Sequence, residues 1–434
     1  MPDSPPLIAD PARLRGEPPR SGRGRAKREQ ILRGALAVFA RHGFVGTSMD
    51  RVAGVAGVSK PTLYSHFQSK EGLFVSLFEW ACAVYLPREA PEAAGGGAGG
   101  LQEHIEQWLA MALTPEAVFV LQTALSESAR FPALGQLYVR TVLVPLKNRL
   151  HAWLLAQGDL DTADGEAAAT LLCCALFSFV GFTEILKGQL VVPVQRDAFV
   201  AGLVDLVTGR ARVGEAQETP AQAAQWALPP EDAGADERRE QTLRAAMAVF
   251  LEHGYAGTSM DMVASSTGLS KPTLYSHFQD KEALFSELIA RVTIRRSFLL
   301  LQPGLFDEPT AVVFAKQAQA LLAKIDDPEY HALVRLVMGE AVRFPELGRL
   351  YTRTVMQPGF RLLGAFFGRC RPRRLPPATL TVLYCTPLIG FVLLHALLGG
   401  GRYFPVGRER YSACLVGLLS ESSASARQEA GDGA

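Results

Sequence analysis

An excess of one charge is what this sequence lacks most plainly: 44 Lys and Arg stand against 43 Asp and Glu, a formal net charge of +1 over 434 residues. That balance argues against a protein that coats nucleic acid along its whole surface and confines any such contact to a local patch. Cysteine is scarce too. The six present (Cys82, Cys173, Cys174, Cys370, Cys385, Cys414) form no CxxC pair and keep no metal-ligand spacing to histidine. This disfavours a zinc site or a disulfide framework and points to buried thiols in a reducing cytoplasm. Cys173 and Cys174 are adjacent but have no basic neighbour to make a reactive thiolate, which disfavours an oxidant sensor. Eight histidines stand without a paired nucleophile, a glycine-rich phosphate loop or metal spacing, so neither an enzyme nor a cofactor is expected. Residues 1–26 are rich in Pro, Gly and Arg and lack the apolar core of a signal peptide; they read as a disordered basic arm.

What the chain does have is length, a hydrophobic content of 48%, and a repeat. The segment REQILRGALAVFARHGFVGTSMDRVAGVAGVSKPTLYSHFQSKEGLF from Arg28 returns without a gap from Arg239, with about 33 of 47 positions identical. SARFPALGQLYVRTV from Ser128 returns as AVRFPELGRLYTRTV from Ala341, and LLCCALFSFVGFTEIL from Leu171 has a looser counterpart in LYCTPLIGFVLLHALL from Leu383. Block order is the same in both halves, so a pair of domains has been duplicated. The expected boundaries are readers at 27–78 and 237–289, helical domains at 79–212 and 290–422, a linker at 213–236 and a tail at 423–434. GGGAGG at Gly95–Gly100 separates the first reader and its following helix from the rest.

Within the first reader, Ile31, Ala35, Leu36, Phe39 and Ala40 form an apolar stripe at helical spacing that stops at Gly43. Thr47 and Asp50 have capping-box spacing, with Val52 and Val55 expected inward on the short helix that follows. Gly57 provides a tight turn, Ser59 caps a third helix with Pro61 in its first turn, and a fourth starts at Ser69, whose counterpart is Asp280. The third helix carries Lys60, Thr62, Tyr64, Ser65 and His66: an amine, hydroxyls and an imidazole able to bond phosphate or base edges in a major groove. Lys70 adds charge at the head of the next helix. Leu63 and Phe67 should face the core. Tyr64 and His66 could instead be packing or capping residues, but both copies keep KPTLYSHFQ among variable neighbours.

GTSMDRVAGVAGVSKPTLYSHFQSKEGLF and its copy from Gly257 resemble the helix-turn-helix signature of the TetR/AcrR family of bacterial regulators. The resemblance implies an all-α protein of two tandem units. Each would have an N-terminal three-helix reader followed by a larger helical domain that pairs subunits and binds a small-molecule effector. It assigns contacts with a double-stranded DNA operator to Thr47, Ser59, Lys60, Thr62, Tyr64, His66 and Lys70, and to Thr258, Ser270, Lys271, Thr273, Tyr275, His277 and Lys281. Repression is the commoner behaviour in that family, and its place is the bacterial cytoplasm, on the nucleoid when bound. The SARFP and AVRFP blocks resemble an AefR-like subgroup.

The stretch Leu380–Leu398 has no charged residue and approaches the length of a membrane span. Pro387 interrupts it, Glu184 sits in its counterpart, and no second span or basic flank supports insertion, so a helix buried between its own domain and a partner is favoured. With the linker holding them together, the two halves are expected to pair as an intramolecular pseudo-dimer, and a homodimer of chains presenting four readers stays open. Trp108, Phe119, Phe177 and Phe182 are expected as plain core more than as an effector cavity, and no effector residue is assigned. Glu127 with Arg130, and Glu340 with Arg343, have the spacing of helix-surface ion pairs. The readers differ in charge: Arg20, Arg23, Arg25, Lys27 and Arg28 precede the first, which also holds Arg41 and Arg51. The second has Glu252 and Met262 at those last two positions and approaches through Glu231, Asp232, Asp236 and Glu237. Shared specificity with tighter binding by the first reader follows.

Overall fold

The apolar periodicity of each half is realised as a run of ten helices among the described residues of a computed structural model: 22–86, 98–157, 162–188, 194–216, 237–293, 308–371 and 374–420. The first run is α1 (Gly22–His42), α2 (Met49–Ala56), α3 (Lys60–His66), α4 (Lys70–Tyr85), α5 (Ala98–Ala112), α6 (Pro115–Glu127), α7 (Pro132–Tyr138), α8 (Val144–Gln157), α9 (Thr162–Val180) and α10 (Arg196–Val207). The second repeats it in order. It comprises α11 (Glu237–Gly257), α12 (Met260–Thr267), α13 (Lys271–His277), α14 (Lys281–Thr293), α15 (Thr310–Leu322), α16 (Pro328–Glu340), α17 (Pro345–Tyr351), α18 (Gln357–Arg369), α19 (Pro377–Ala396) and α20 (Arg408–Leu419). Even a local irregularity is duplicated, since a π-helical turn follows α7 at Val139–Leu143 and α17 at Thr352–Met356.

Several boundaries differ from expectation. Helix α1 opens at Gly22, inside the expected arm, because Arg25 to Gln30 is a run of good helix formers without proline or glycine; residues 1–21 lie outside the described residues. Helix α5 takes in Gly99 and Gly100, since Leu101 and Ile105 bury fully and tertiary packing overrides glycine's weak propensity. The linker is fixed at its start: Val213 bridges Ser420 and Ala216 bridges Cys370, the only β-pairing among the described residues. The Glu215 carboxylate accepts the Thr310 N–H at 2.8 Å at the head of α15. Residues 217–236, and the tail from 421 on, lie outside the described residues.

The halves meet through α9 and α19. Helix Asp164–Ile185 joins Pro377–Ala396 as long and apolar enough to cross a membrane, so the first half does hold a second such segment, contrary to expectation. The two pack on one another, with 94% and 78% of their apolar windows buried inside the protein. Pro387 does not interrupt α19, because packing on both sides holds the helix through it and the Thr386 hydroxyl bonds back to the Val382 carbonyl at 2.7 Å. At the crossing the Ser178 hydroxyl donates to the Thr386 carbonyl at 2.6 Å, while Gly390 lies directly on the Cys174 carbonyl. Ser178 is the repeat equivalent of Gly390, and Cys174 of Thr386. The contact is therefore the same one made twice, as across a two-fold axis. A second crossing pairs α6 with α16, where Gly339 meets its own equivalent Ser126 and Gln122 Nε2 donates to the carbonyls of Met338 and Gly339 at 3.1 Å each.

All six thiols are free; five are buried and Cys414 is half-buried. Burial pushes Cys82, Cys385 and Cys414 up to about 12 and raises Cys173 and Cys174 as well, so none is poised as a thiolate.

Candidate nucleic-acid interface

Each reader hangs on local signals. In the first, Gly43 and Gly57 take the left-handed conformation that ends α1 and α2 (φ 66° and 62°). Ser59 caps α3 by accepting the Thr62 N–H at 3.2 Å, and Ser69 caps α4 by accepting the Gly72 N–H at 3.0 Å. The second copy repeats this with Ser270 and Thr273, and Asp280 replaces the fourth cap by accepting the Ala283 N–H at 2.7 Å. Leu63 and Phe67, with Leu274 and Phe278, are buried and fix the roll of α3 and α13. Arg28 lies over the Phe67 ring at 4.3 Å and donates to the His66 carbonyl, while Arg239 lies over Phe278 at 4.8 Å and pairs through both nitrogens with Glu287.

The remaining side chains of α3 and α13 point outward. Tyr64 is 42% exposed and Tyr275 48%. Lys60 reaches the Asp50 carboxylate at 2.7 Å and Lys271 reaches Asp261 at 2.6 Å, so each ammonium is held beside the preceding helix by an exposed partner it can leave. The Ser59 and Thr62 hydroxyls are 2.7 Å apart, as are those of Ser270 and Thr273. The Ser65 hydroxyl bonds back to the Thr62 carbonyl. His66 and His277 are half-buried at the helix ends. Burial, with Arg28 and Lys27 nearby, holds the His66 imidazole below its ordinary value, so it is neutral at pH 7 and can both donate and accept.

Four of the expected contacts are placed elsewhere. Thr47 and Thr258 are only 4% and 3% exposed, and each hydroxyl donates at 2.7 Å to the carbonyl of the glycine four residues back, Gly43 or Gly254. The cap of α2 is Ser48, which accepts the Arg51 N–H. Lys70 donates to the carbonyls of Phe44 and Thr47 and lies over the Phe44 ring at 4.5 Å; Lys281 does the same with Tyr255 and Thr258. These residues brace the turn before α2 or α12, where both threonine hydroxyls and two of the three donors of each ammonium bond backbone carbonyls. Val55, expected inward, is 56% exposed; Val52 and Ala53 fill the inner face instead.

The same turn is where each reader meets a helical domain. Arg130 lies over Phe44 at 4.4 Å, and Phe131 packs edge-on to that ring. In the second half the Glu340 carboxylate accepts the backbone N–H of Tyr255 at 3.0 Å and of Ala256 at 3.4 Å. Arg343 crosses to the other half and lies against Gly43. Neither acid is a surface ion-pair partner: burial raises the carboxyl of Glu127 and of Glu340 above the ordinary range. The spacing in sequence could not show this, because each acid's surroundings come from other elements. The signal present was that the acid and arginine recur in both halves.

Comparison with known proteins matches each half of the chain to the same two family profiles. Residues 31–77 and 243–288 match the profile of bacterial regulatory proteins of the tetR family, and residues 99–210 and 313–372 match the C-terminal domain of AefR-like transcriptional repressors. The chain is 34% identical over 86 residues to the HTH-type transcriptional repressor BepR of Brucella suis, covering 20% of this chain and 41% of that protein. It is 46% identical over 56 residues to the HTH-type transcriptional activator FasR of Mycolicibacterium smegmatis, covering 13% and 26%. These matches span well under half of either relative. Among solved structures, the flavonoid-responsive regulator FrrA is 33% identical over 31% of this chain and 68% of that one, with a TM-score of 0.26.

Proposed function

Because the chain belongs to the TetR family of bacterial regulatory proteins and carries two of its units in tandem, we propose that it is a DNA-binding transcriptional regulator in which one polypeptide does the work of two subunits. The observation that carries this reading is the exchange of equivalent contacts at the α9–α19 crossing, which relates the halves as partners in a two-fold pair. An intramolecular pseudo-dimer presents α3 and α13 together to a near-palindromic operator with half-sites about one helical turn, roughly 34–36 Å, apart or a multiple of it. Pairing of two chains would present four readers instead.

In this reading Ser59, Lys60, Thr62, Tyr64 and His66, with Ser270, Lys271, Thr273, Tyr275 and His277, meet the groove. Thr47, Lys70, Thr258 and Lys281 position them by holding the turn. Each reader is followed in this reading by its own helical domain. In the same reading a small-molecule effector bound in a helical domain shifts the readers and releases the operator. The matched relatives include both a repressor and an activator, so the position of the operator decides the sign.

Binding of a selected duplex should weaken steeply with salt, and replacing Lys60 by alanine should lower the log–log salt slope by about one phosphate equivalent. Fluorescence anisotropy across a salt series reads this directly. Binding that ignores salt would remove the DNA reading.

A further inference from the structure

Resting on the reading just given, in which an effector acts through a helical domain, we infer that the effector site lies in the second half alone and takes one uncharged, monocyclic aromatic ligand, and that α16 carries its signal to both readers. A cavity of about 150 Å³ opens among Leu321 of α15, Met338 of α16, Gly359 of α18 and Ile389 of α19, and Leu186 of the first half closes one side. A dry cavity of about this size admits a benzene-sized molecule.

The lining sets the chemistry. Its polar side chains already have partners within the protein: Lys324 Nζ donates to the Val292 carbonyl at 2.9 Å and to Asp327, Tyr384 donates to the Phe314 carbonyl at 2.6 Å, Thr293 donates to the Ile289 carbonyl at 2.5 Å, and the Tyr330 and Tyr351 hydroxyls bond each other. The one cation in the lining, Lys324, is already paired with Asp327, so the pocket brings no net charge to offset the desolvation of a charged ligand. Rings and thioethers, such as Phe360 and Met338, suit an aromatic guest.

The repeat shows why one half holds it. Gly359, Leu321 and Ile389 are matched in the first half by Leu146, Trp108 and Phe177, each larger and each buried in the core. The space open in the second half is filled by protein in the first. Those aromatics, weighed from sequence as cavity lining or core, are core.

The route outward is short. Tyr330, Val334 and Met338 of α16 face the cavity, and two residues beyond Met338 the Glu340 carboxylate holds the turn of the second reader. The carbonyls of Met338 and Gly339 accept Gln122 of the first half, and Arg343 touches the first reader at Gly43. A ligand that displaces α16 acts on both turns.

Calorimetric titration of the full chain with toluene, without DNA, tests the site apart from the regulator reading. One equivalent per chain is expected, with benzoate at least about tenfold weaker. Ile389→Phe and, separately, Leu321→Trp restore the first half's residues and should each weaken toluene at least about tenfold, the scale on which a methylene counts in an apolar pocket. Thermal melting reports whether each variant is folded. Two equivalents per chain, equal affinity for benzoate, or undiminished binding by both folded variants would overturn the assignment. If toluene binds as expected while operator affinity at both half-sites is unchanged, the site stands and the coupling through α16 falls.

Discussion

Gly390→Ala will destabilise the protein by about 3 kcal/mol, at the upper end of what overpacking costs. A Cβ there would overlap the Cys174 carbonyl oxygen and stand 2.7 Å from its carbon, and because the neighbour is backbone it cannot swing aside. The helices α9 and α19 must part, and with them the contact that joins the halves. Gly368→Ala in α18 is the control: a Cβ at that position meets nothing within 4 Å, and alanine in place of glycine in a helix should stabilise by up to about 1 kcal/mol. Urea unfolding of the two variants beside the parent reads both signs. Equal stability of Gly390→Ala and the parent would mean that the crossing is not close in solution.

Removing Tyr64 and His66 together should weaken operator binding by about 10²–10⁴-fold, the avidity lost when one of two linked readers lets go. The matching loss from Tyr275→Ala with His277→Ala should be smaller. The first reader holds Arg41 and Arg51 where the second has Glu252 and Met262, so the first supplies more of the phosphate neutralisation that drives affinity. Both pairs of variants leave the buried Leu63, Phe67, Leu274 and Phe278 untouched, so the readers should stay folded. The measurement is operator affinity at one fixed salt concentration. If the first pair costs no more than the second, the asymmetry is wrong, although the two-reader account survives.

The features legible in the sequence were those fixed by neighbours in the chain. Caps at Ser59, Ser69 and Asp280, left-handed glycines at Gly43 and Gly57, and the inward Leu63 and Phe67 all follow from spacing, because the bonds that make them span three or four residues. What was misplaced depended on partners distant in sequence. Lys70 looks like a phosphate ligand at a helix head until the chain folds back and puts the carbonyls of Phe44 and Thr47, 26 and 23 residues away, within its reach. Glu340 reads as a surface acid because Tyr255 and Ala256, whose N–H groups it holds, are some 85 residues upstream. Thr47 has the spacing of the cap to α2, but its side chain is buried and the neighbouring Ser48 caps the helix instead. Pro387 marks a break in a solvent-facing helix; between two packed halves it does not. The difference between the halves could be read one residue at a time, but only the fold shows that Gly359, Leu321 and Ile389 surround one space.

Selection of bound DNA from random sequence, followed by native mass measurement of the complex, tests the central claim that one chain reads two half-sites. The account predicts an enriched inverted repeat with a single chain of 46.9 kDa on each duplex. Two chains on the minimal repeat, or no enriched sequence at all, would contradict it.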